Sequence, residues 1–310
     1  MLRRTTGRVV LVAIVVAALA GGAAGAARLA GWGSDHAIET TGPYRVGTRT
    51  DTFVDGTRPT PAFGGSPAAP NRTVVTDIWY PAAGNPDAAP VANGPAADGP
   101  FPLIVYNHGQ QGEPQQYAPS FEEWAQAGYV VAAPRHPLTV RGGPGAVFAN
   151  DPQGEIGDVA FVIDSIDEKL SDLADVDHVA VAGHSSGALV AFATAFQDCC
   201  HDSRIDAALL EGTPIPLGQE SGGLPGTPVM FVQGDADSTP PAVPHAAYDA
   251  ADPPKVFLTV AGGDHSRMYR DGPAAPDVAR AVLAFLDWQV KGRAGALNTL
   301  EDTPGVDIAR

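Results

Sequence analysis

The apolar run Val179-Ala180-Val181-Ala182 leads straight into Gly183-His184-Ser185-Ser186-Gly187, and Ala188-Leu189-Val190-Ala191-Phe192-Ala193 follows without a break. This succession of strand, glycine-bracketed turn and helix constrains the fold more than any other stretch of the chain. A turn that passes from strand to helix in so few residues leaves no space for side chains at Gly183 and Gly187, so the glycines are a steric requirement. The serine between them fits G-x-S-x-G, the pattern in which a sharp, strained turn lifts a hydroxyl above the edge of a sheet. Ser185 is therefore the candidate nucleophile. The bland alternative, an ordinary Gly/Ser turn, is disfavoured by the strand before it and the helix after it.

The rest of the chain alternates in the same way. Val46 to Val54 and Arg72 to Tyr80 read as early strands, with Pro/Gly/Ala-rich surface excursions from Asp55 to Asn71 and from Pro81 to Pro100. Phe101 to Tyr106 and Tyr129 to Ala133 are short apolar runs, and the helix expected from Ser120 to Ala127 between them implies parallel pairing. Ile156, Val159, Ile163, Ile166 and Leu170 recur at helical spacing, a stripe that must lie on a sheet. Further strands are expected at Ile205 to Leu210, Val229 to Val232 and Val256 to Val260, with a last helix from about Ala274 to Lys291. This order predicts an α/β fold with a mostly parallel central sheet and helices on both faces. The 36 Gly and 29 Pro among 310 residues fall short of a disordered composition, and 44% apolar residues suffice for one large core.

A serine hydroxyl needs a base, and the base needs an acid to orient it. The Val229 to Val232 strand runs into Gln233-Gly234-Asp235-Ala236-Asp237, and loops at this end of parallel strands are where ligand sites gather. Either Asp235 or Asp237 fits the acid on spacing alone, with Glu211 as a fallback and Asp264 read as a loop cap. The Val256 to Val260 strand runs into Ala261-Gly262-Gly263-Asp264-His265, making His265 the leading base. Asn107-His108-Gly109-Gln110-Gln111-Gly112 follows another strand, and its glycines let backbone amides approach a substrate. The amides of Gln110 and Ser186 are the expected oxyanion donors, while His108 reads as a structural hydrogen-bonder. The remaining histidines show no metal-ligand spacing, so neither metal nor cofactor is expected.

The first 26 residues read as a secretory signal: Arg3, Arg4 and Arg8 precede a short apolar core, and small residues around Ala26 suit cleavage. An uncleaved membrane anchor through residues 9–27 is the alternative. Residues 27–40 read as a linker and residues 293–310 as a surface tail. A formal net charge of -16 disfavours nucleic acid and anionic lipid as partners. In an exported chain the adjacent Cys199 and Cys200 have either a vicinal disulfide or two thiols open to them.

With these residues in place, the sequence resembles the α/β-hydrolase superfamily, and within it the dienelactone-hydrolase-like and platelet-activating-factor-acetylhydrolase-like serine esterases. The resemblance runs from Gly42-Pro43-Tyr44-Arg45-Val46-Gly47 and Ile78-Trp79-Tyr80-Pro81 through the serine turn to Ser266. It implies an α/β-hydrolase domain over residues 41–292, selects Asp237 over Asp235, and places the Gln110 amide as a donor. Ser186 and His136 depart from the group, which more often carries a larger apolar residue at the first position and an acidic or aromatic one at the second. The chain between Glu211 and Thr227 is short, so no large lid is expected. The implied activity is that of an exported, monomeric serine hydrolase acting on short-acyl or accessible carboxylic esters, small or polymeric. Polyester or peptide hydrolysis by the same residues, or a non-catalytic binding module on the same fold, are the alternatives.

Overall fold

A computed structural model of the chain describes residue 38 and residues 42–145, 151–213, 226–266 and 272–310. Ten strands form one sheet: β1 (Arg45–Asp55), β2 (Arg72–Ala82), β3 (Val91–Ala92), β4 (Phe101–Asn107), β5 (Val130–Arg135), β6 (Ala174–His184), β7 (Ile205–Glu211), β8 (Val229–Gly234), β9 (Lys255–Val260) and β10 (Val306–Ala309). Their spatial order is β10-β9-β8-β7-β6-β4-β5-β2-β1-β3. Strands β4 to β9 pair in parallel, whereas β1 with β2, β2 with β5, and β9 with β10 are antiparallel.

The helices between and after these strands are α1 (Ala118–Gln126), α2 (Pro152–Leu170), α3 (Ser186–Phe196), α4 (Ala242–Ala250), α5 (Ala275–Gln289) and α6 (Ala296–Glu301). They cover both faces of the sheet, which explains why the central strands read as unbroken apolar runs. Successive side chains on β4 and β6 alternate between two cores. Leu103, Val105, Val179 and Val181 pack with Val159, Ile163 and Ala191 of α2 and α3, and Ile104, Tyr106, Ala180 and Ala182 pack with Phe121, Trp124, Val282 and Phe285 of α1 and α5.

Three regions differ from the sequence expectation. Residues 293–310 are not merely a surface tail: α6 buries Leu300 completely, and β10 completes the sheet edge beside β9. A four-residue strand with three apolar side chains carries little signal of its own and exists because β9 offers it a partner. The excursion after β2 contains β3, which pairs with Gly47 and Thr48 of β1. Helix α4 was hidden by Pro244, tolerated there because it sits in the first turn, where no intrahelical amide bond is lost. Cys199 and Cys200 are joined as a disulfide in the turn between α3 and β7. No helix among the described residues is long and apolar enough to cross a membrane. The signal or anchor segment and most of the linker lie outside the described residues, as do residues 214–225, on which most of the expectation of a missing lid falls.

Candidate active site

Ser185 lies between the last residue of β6 and the first of α3, with φ 57° and ψ -121°. Side chains rarely adopt this conformation, and the surrounding contacts hold it there. The Ser185 N–H donates to the Glu211 carbonyl at 2.9 Å. A methyl group at Gly183 would collide with the Gly187 backbone, and one at Gly187 with the carbonyl of Asn107. The sharp turn and the loop after β4 are thus packed backbone to backbone, and this brings Gly109 beside the serine. A Cβ built at Gly109 would stand only 3.2 Å from the Cβ of Ser185.

His265, on the loop after β9, places Nε2 3.0 Å from the Ser185 hydroxyl and Nδ1 2.8 Å from Oδ2 of Asp237. With Nδ1–H donated to the carboxylate, the lone pair of Nε2 faces the serine. The Asp237 side chain is fully buried and draws four donors. Besides His265, Gln233 Nε2 donates to Oδ2 at 2.9 Å, and the Thr239 N–H and Ser238 hydroxyl donate to Oδ1 at 2.9 and 3.2 Å. Such a donor set holds a carboxylate in one orientation. Of the other two acids considered, Asp235 accepts the Gly262 amide at 2.7 Å, and Glu211 accepts the Tyr106 hydroxyl at 2.7 Å. Asp264 accepts the amide of Ser266.

A protein-family model described as Chlorophyllase matches residues 73–215, a little under half of the chain. A search of curated proteins returns no match. Among solved structures, a ferulic acid esterase from Streptomyces cinnamoneus superposes with a TM-score of 0.66 at 21% identity, covering 88% of this chain and 99% of its own. The chain has the α/β-hydrolase fold. The likeness to this esterase is one of fold, and the family match runs from β2 to just past β7.

In this fold the loop after β4 is held on several sides. Asn107 Nδ2 donates to the Ala182 carbonyl, the Gln111 amide donates to Thr139 at 2.7 Å, and the Gly109 amide donates to the Tyr117 hydroxyl at 3.3 Å. Among the described residues the Gln110 amide is left without an internal acceptor, and so is that of Ser186, which as the first residue of α3 has none within its helix.

Behind this loop runs a buried polar chain that the sequence did not reveal. His136 donates from Nδ1 to Asp158 at 3.0 Å and from Nε2 to Asn107 at 3.1 Å, while its backbone amide donates to Nε2 of His108. Asp158 also receives two hydrogen bonds from Arg72, at 2.6 and 2.8 Å, and Arg72 reaches Asp151 at 2.7 Å. Burial pushes the Asp158 carboxyl upward, but the bonds from His136 and Arg72 outweigh it and its pKa falls below the usual range. Burial, reinforced by the charge of His136, pushes His108 down to about 3, leaving a neutral ring whose Nδ1–H donates to Gly109. His136, the residue that departs from the resembled group, is thus the hub between the ion pair and the loop. Burial also raises Glu211 to about 7, opposed by the Tyr106 hydrogen bond. Among the described residues no three His, Cys, Asp or Glu side chains converge as a metal site requires.

Proposed function

We propose that the protein is an exported serine esterase, with Ser185 as nucleophile, His265 as base and then acid, and Asp237 orienting the imidazole. The observation that carries this reading is the continuous contact from Ser185 Oγ through His265 to Asp237, at 3.0 and 2.8 Å. The serine oxygen attacks the ester carbonyl carbon while its proton passes to Nε2 of His265. Negative charge then develops on the carbonyl oxygen, where the amides of Gln110 and Ser186 stabilise it. The tetrahedral intermediate collapses as His265 returns the proton to the departing alkoxide, leaving an acyl-serine and an alcohol. Water, deprotonated by the same imidazole, attacks the acyl-enzyme, and the carboxylic acid leaves with Ser185 restored.

The substrate is a short-acyl or otherwise accessible carboxylic ester. Too few residues separate β7 from β8 for the long amphipathic lid that interfacial lipases fold over their site. Export is supported by the basic and then apolar start of the chain, and by the Cys199–Cys200 disulfide, a bond that persists in oxidising compartments.

The test is hydrolysis of p-nitrophenyl esters of two to twelve carbons by the wild type and by Ser185→Ala, together with labelling by a fluorophosphonate. Short-chain turnover and labelling, both abolished in the variant, are expected. A wild type that neither turns over any ester nor takes the probe would overturn the reading.

A further inference from the structure

His184 is the variable residue that precedes the serine in G-x-S-x-G, and its ring lies beside that of His265. Its Nε2 lies 2.8 Å from the backbone carbonyl of His265, and its Nδ1 lies 3.0 Å from the hydroxyl of Tyr117. A carbonyl can only accept, so Nε2 carries the proton. In the neutral ring Nδ1 is then an acceptor, and the Tyr117 hydroxyl donates to it. The oxygen of that hydroxyl accepts the Gly109 amide at 3.3 Å. With a neutral ring the line runs Gly109 N–H to Tyr117, Tyr117 O–H to His184, and His184 N–H to the His265 carbonyl.

This line joins two loops that are far apart in sequence. At one end stands the loop after β4, whose Gln110 amide follows Gly109 directly. The other end is the loop after β9, which carries the base. Both side chains are buried, Tyr117 to 4% and His184 to 6% exposure. The Tyr117 ring is packed against Tyr106 and Phe121, and the His184 ring stands 4.8 Å from that of His265. None of these groups reaches the reacting atoms in place of the serine, base or acid.

We propose that Tyr117 and His184 are positioning residues that fix the distance between the oxyanion donor of Gln110 and the imidazole of His265. The proposal rests on the serine esterase reading and deepens it. Reaction requires the donor and the base to be placed around one tetrahedral centre, so slack between their loops acts on the transition state more than on substrate binding.

The experiment measures kcat and KM for a short p-nitrophenyl ester with the full-length wild type, Tyr117→Phe, His184→Phe and the double variant, with thermal unfolding of each. Tyr117→Phe keeps the packed ring and His184→Phe keeps a flat ring against His265, so each removes hydrogen bonds with little change of shape. Loss of one such bond is expected to lower kcat about tenfold, with KM changed less than about twofold. The double variant is expected to lose no more than the worse single one, because cutting a chain twice costs what cutting it once does. Additive losses, a change confined to KM, or kcat within about twofold of wild type in folded variants would each overturn the proposal. Should one single variant fail to fold, the other still decides it by its kcat and KM, and faster hydrogen exchange of the Gly109 amide reports whether the line was broken. Failure of the esterase reading shows in the wild type itself, as absence of turnover and of fluorophosphonate labelling at Ser185, and the proposal falls with it. Failure of the bridge alone shows only in variants of an active wild type.

Discussion

Asp235 and Asp237 sit on one loop and face different partners: Asp237 meets Nδ1 of His265 at 2.8 Å, whereas Asp235 takes the amide of Gly262 at 2.7 Å. Spacing from the serine turn does not separate them, since both follow β8 at the edge where ligands bind. Their side chains diverge because the loop turns back between them, with the Asp237 amide donating to Gly234.

Asp237→Asn replaces a carboxylate by an amide that can donate to Nδ1, turning the imidazole to the wrong tautomer. Turnover of a short ester is expected to fall by about three to four orders of magnitude. Asp235→Asn keeps an acceptor for Gly262 and is expected to change kcat less than about threefold. Steady-state kinetics of the two variants side by side will show the contrast, and the opposite ranking would mean that Asp235 is the orienting acid.

The strained backbone at Ser185, φ 57° and ψ -121°, makes a prediction about stability. Ser185→Ala retains a Cβ and should leave the denaturation midpoint nearly unchanged while abolishing turnover. Ser185→Gly removes the Cβ and is expected to be inactive yet more stable by about 1 kcal/mol, the relieved strain exceeding the greater chain entropy of glycine. Urea unfolding of the three proteins measures it.

Glu211 is buried with its pKa raised to about 7, from an ordinary value of 4.5. The folded state therefore prefers the protonated carboxyl, and the stabilisation this gives is complete below pH 4.5 and lost as pH rises through about 7. Glu211→Gln, which keeps an acceptor for Tyr106, is expected to gain stability relative to wild type as pH rises across that window. Unfolding midpoints of both proteins at pH 5 and pH 8 would give a constant difference if the carboxyl did not titrate there.

Arg72 is completely buried between Asp158 and Asp151, and Asp158 is equally inaccessible. Arg72→Met fills a similar volume but leaves buried carboxylates without their cation, at an expected cost of about 3–5 kcal/mol in unfolding free energy. Urea denaturation measures the loss. A change below about 1 kcal/mol would mean that the arginine carries little of the load on the loop behind the site.

What was legible in the sequence was set by local rules. Gly183, Ser185 and Gly187 declared themselves because a turn so tight tolerates few alternatives, and the strands β4, β6 and β8 because both faces are covered. Ser185, His265 and Asp237 come together in the structure because each follows a strand of one parallel sheet, so order along the chain becomes proximity at one edge. The choice between Asp235 and Asp237 came from the resemblance and not from the residues. The supporting groups were illegible for a different reason. Arg72 and Asp158 are 86 residues apart, and Tyr117 and His184 are 67 apart. Each reads singly as a solvated charge or a core ring, and nothing local states that they meet. Gln233 is similar: its amide serves Asp237, Thr239 and Thr213 at once, but a glutamine after a strand is unremarkable in a sequence.

Strand β10, which pairs antiparallel with Lys255–Leu258 of β9, has a consequence beyond completing the sheet. Without it the outer rim of β9 would present a row of unsatisfied amides and carbonyls, a template for edge-to-edge joining of one molecule to the next. The Arg310 and Glu301 side chains, paired next to this strand, help hold the covering in place. Residues 306–309 therefore move the open edge from the six-residue β9 to a four-residue strand, and a version of the protein shortened before them is expected to self-associate more readily, as light scattering would show.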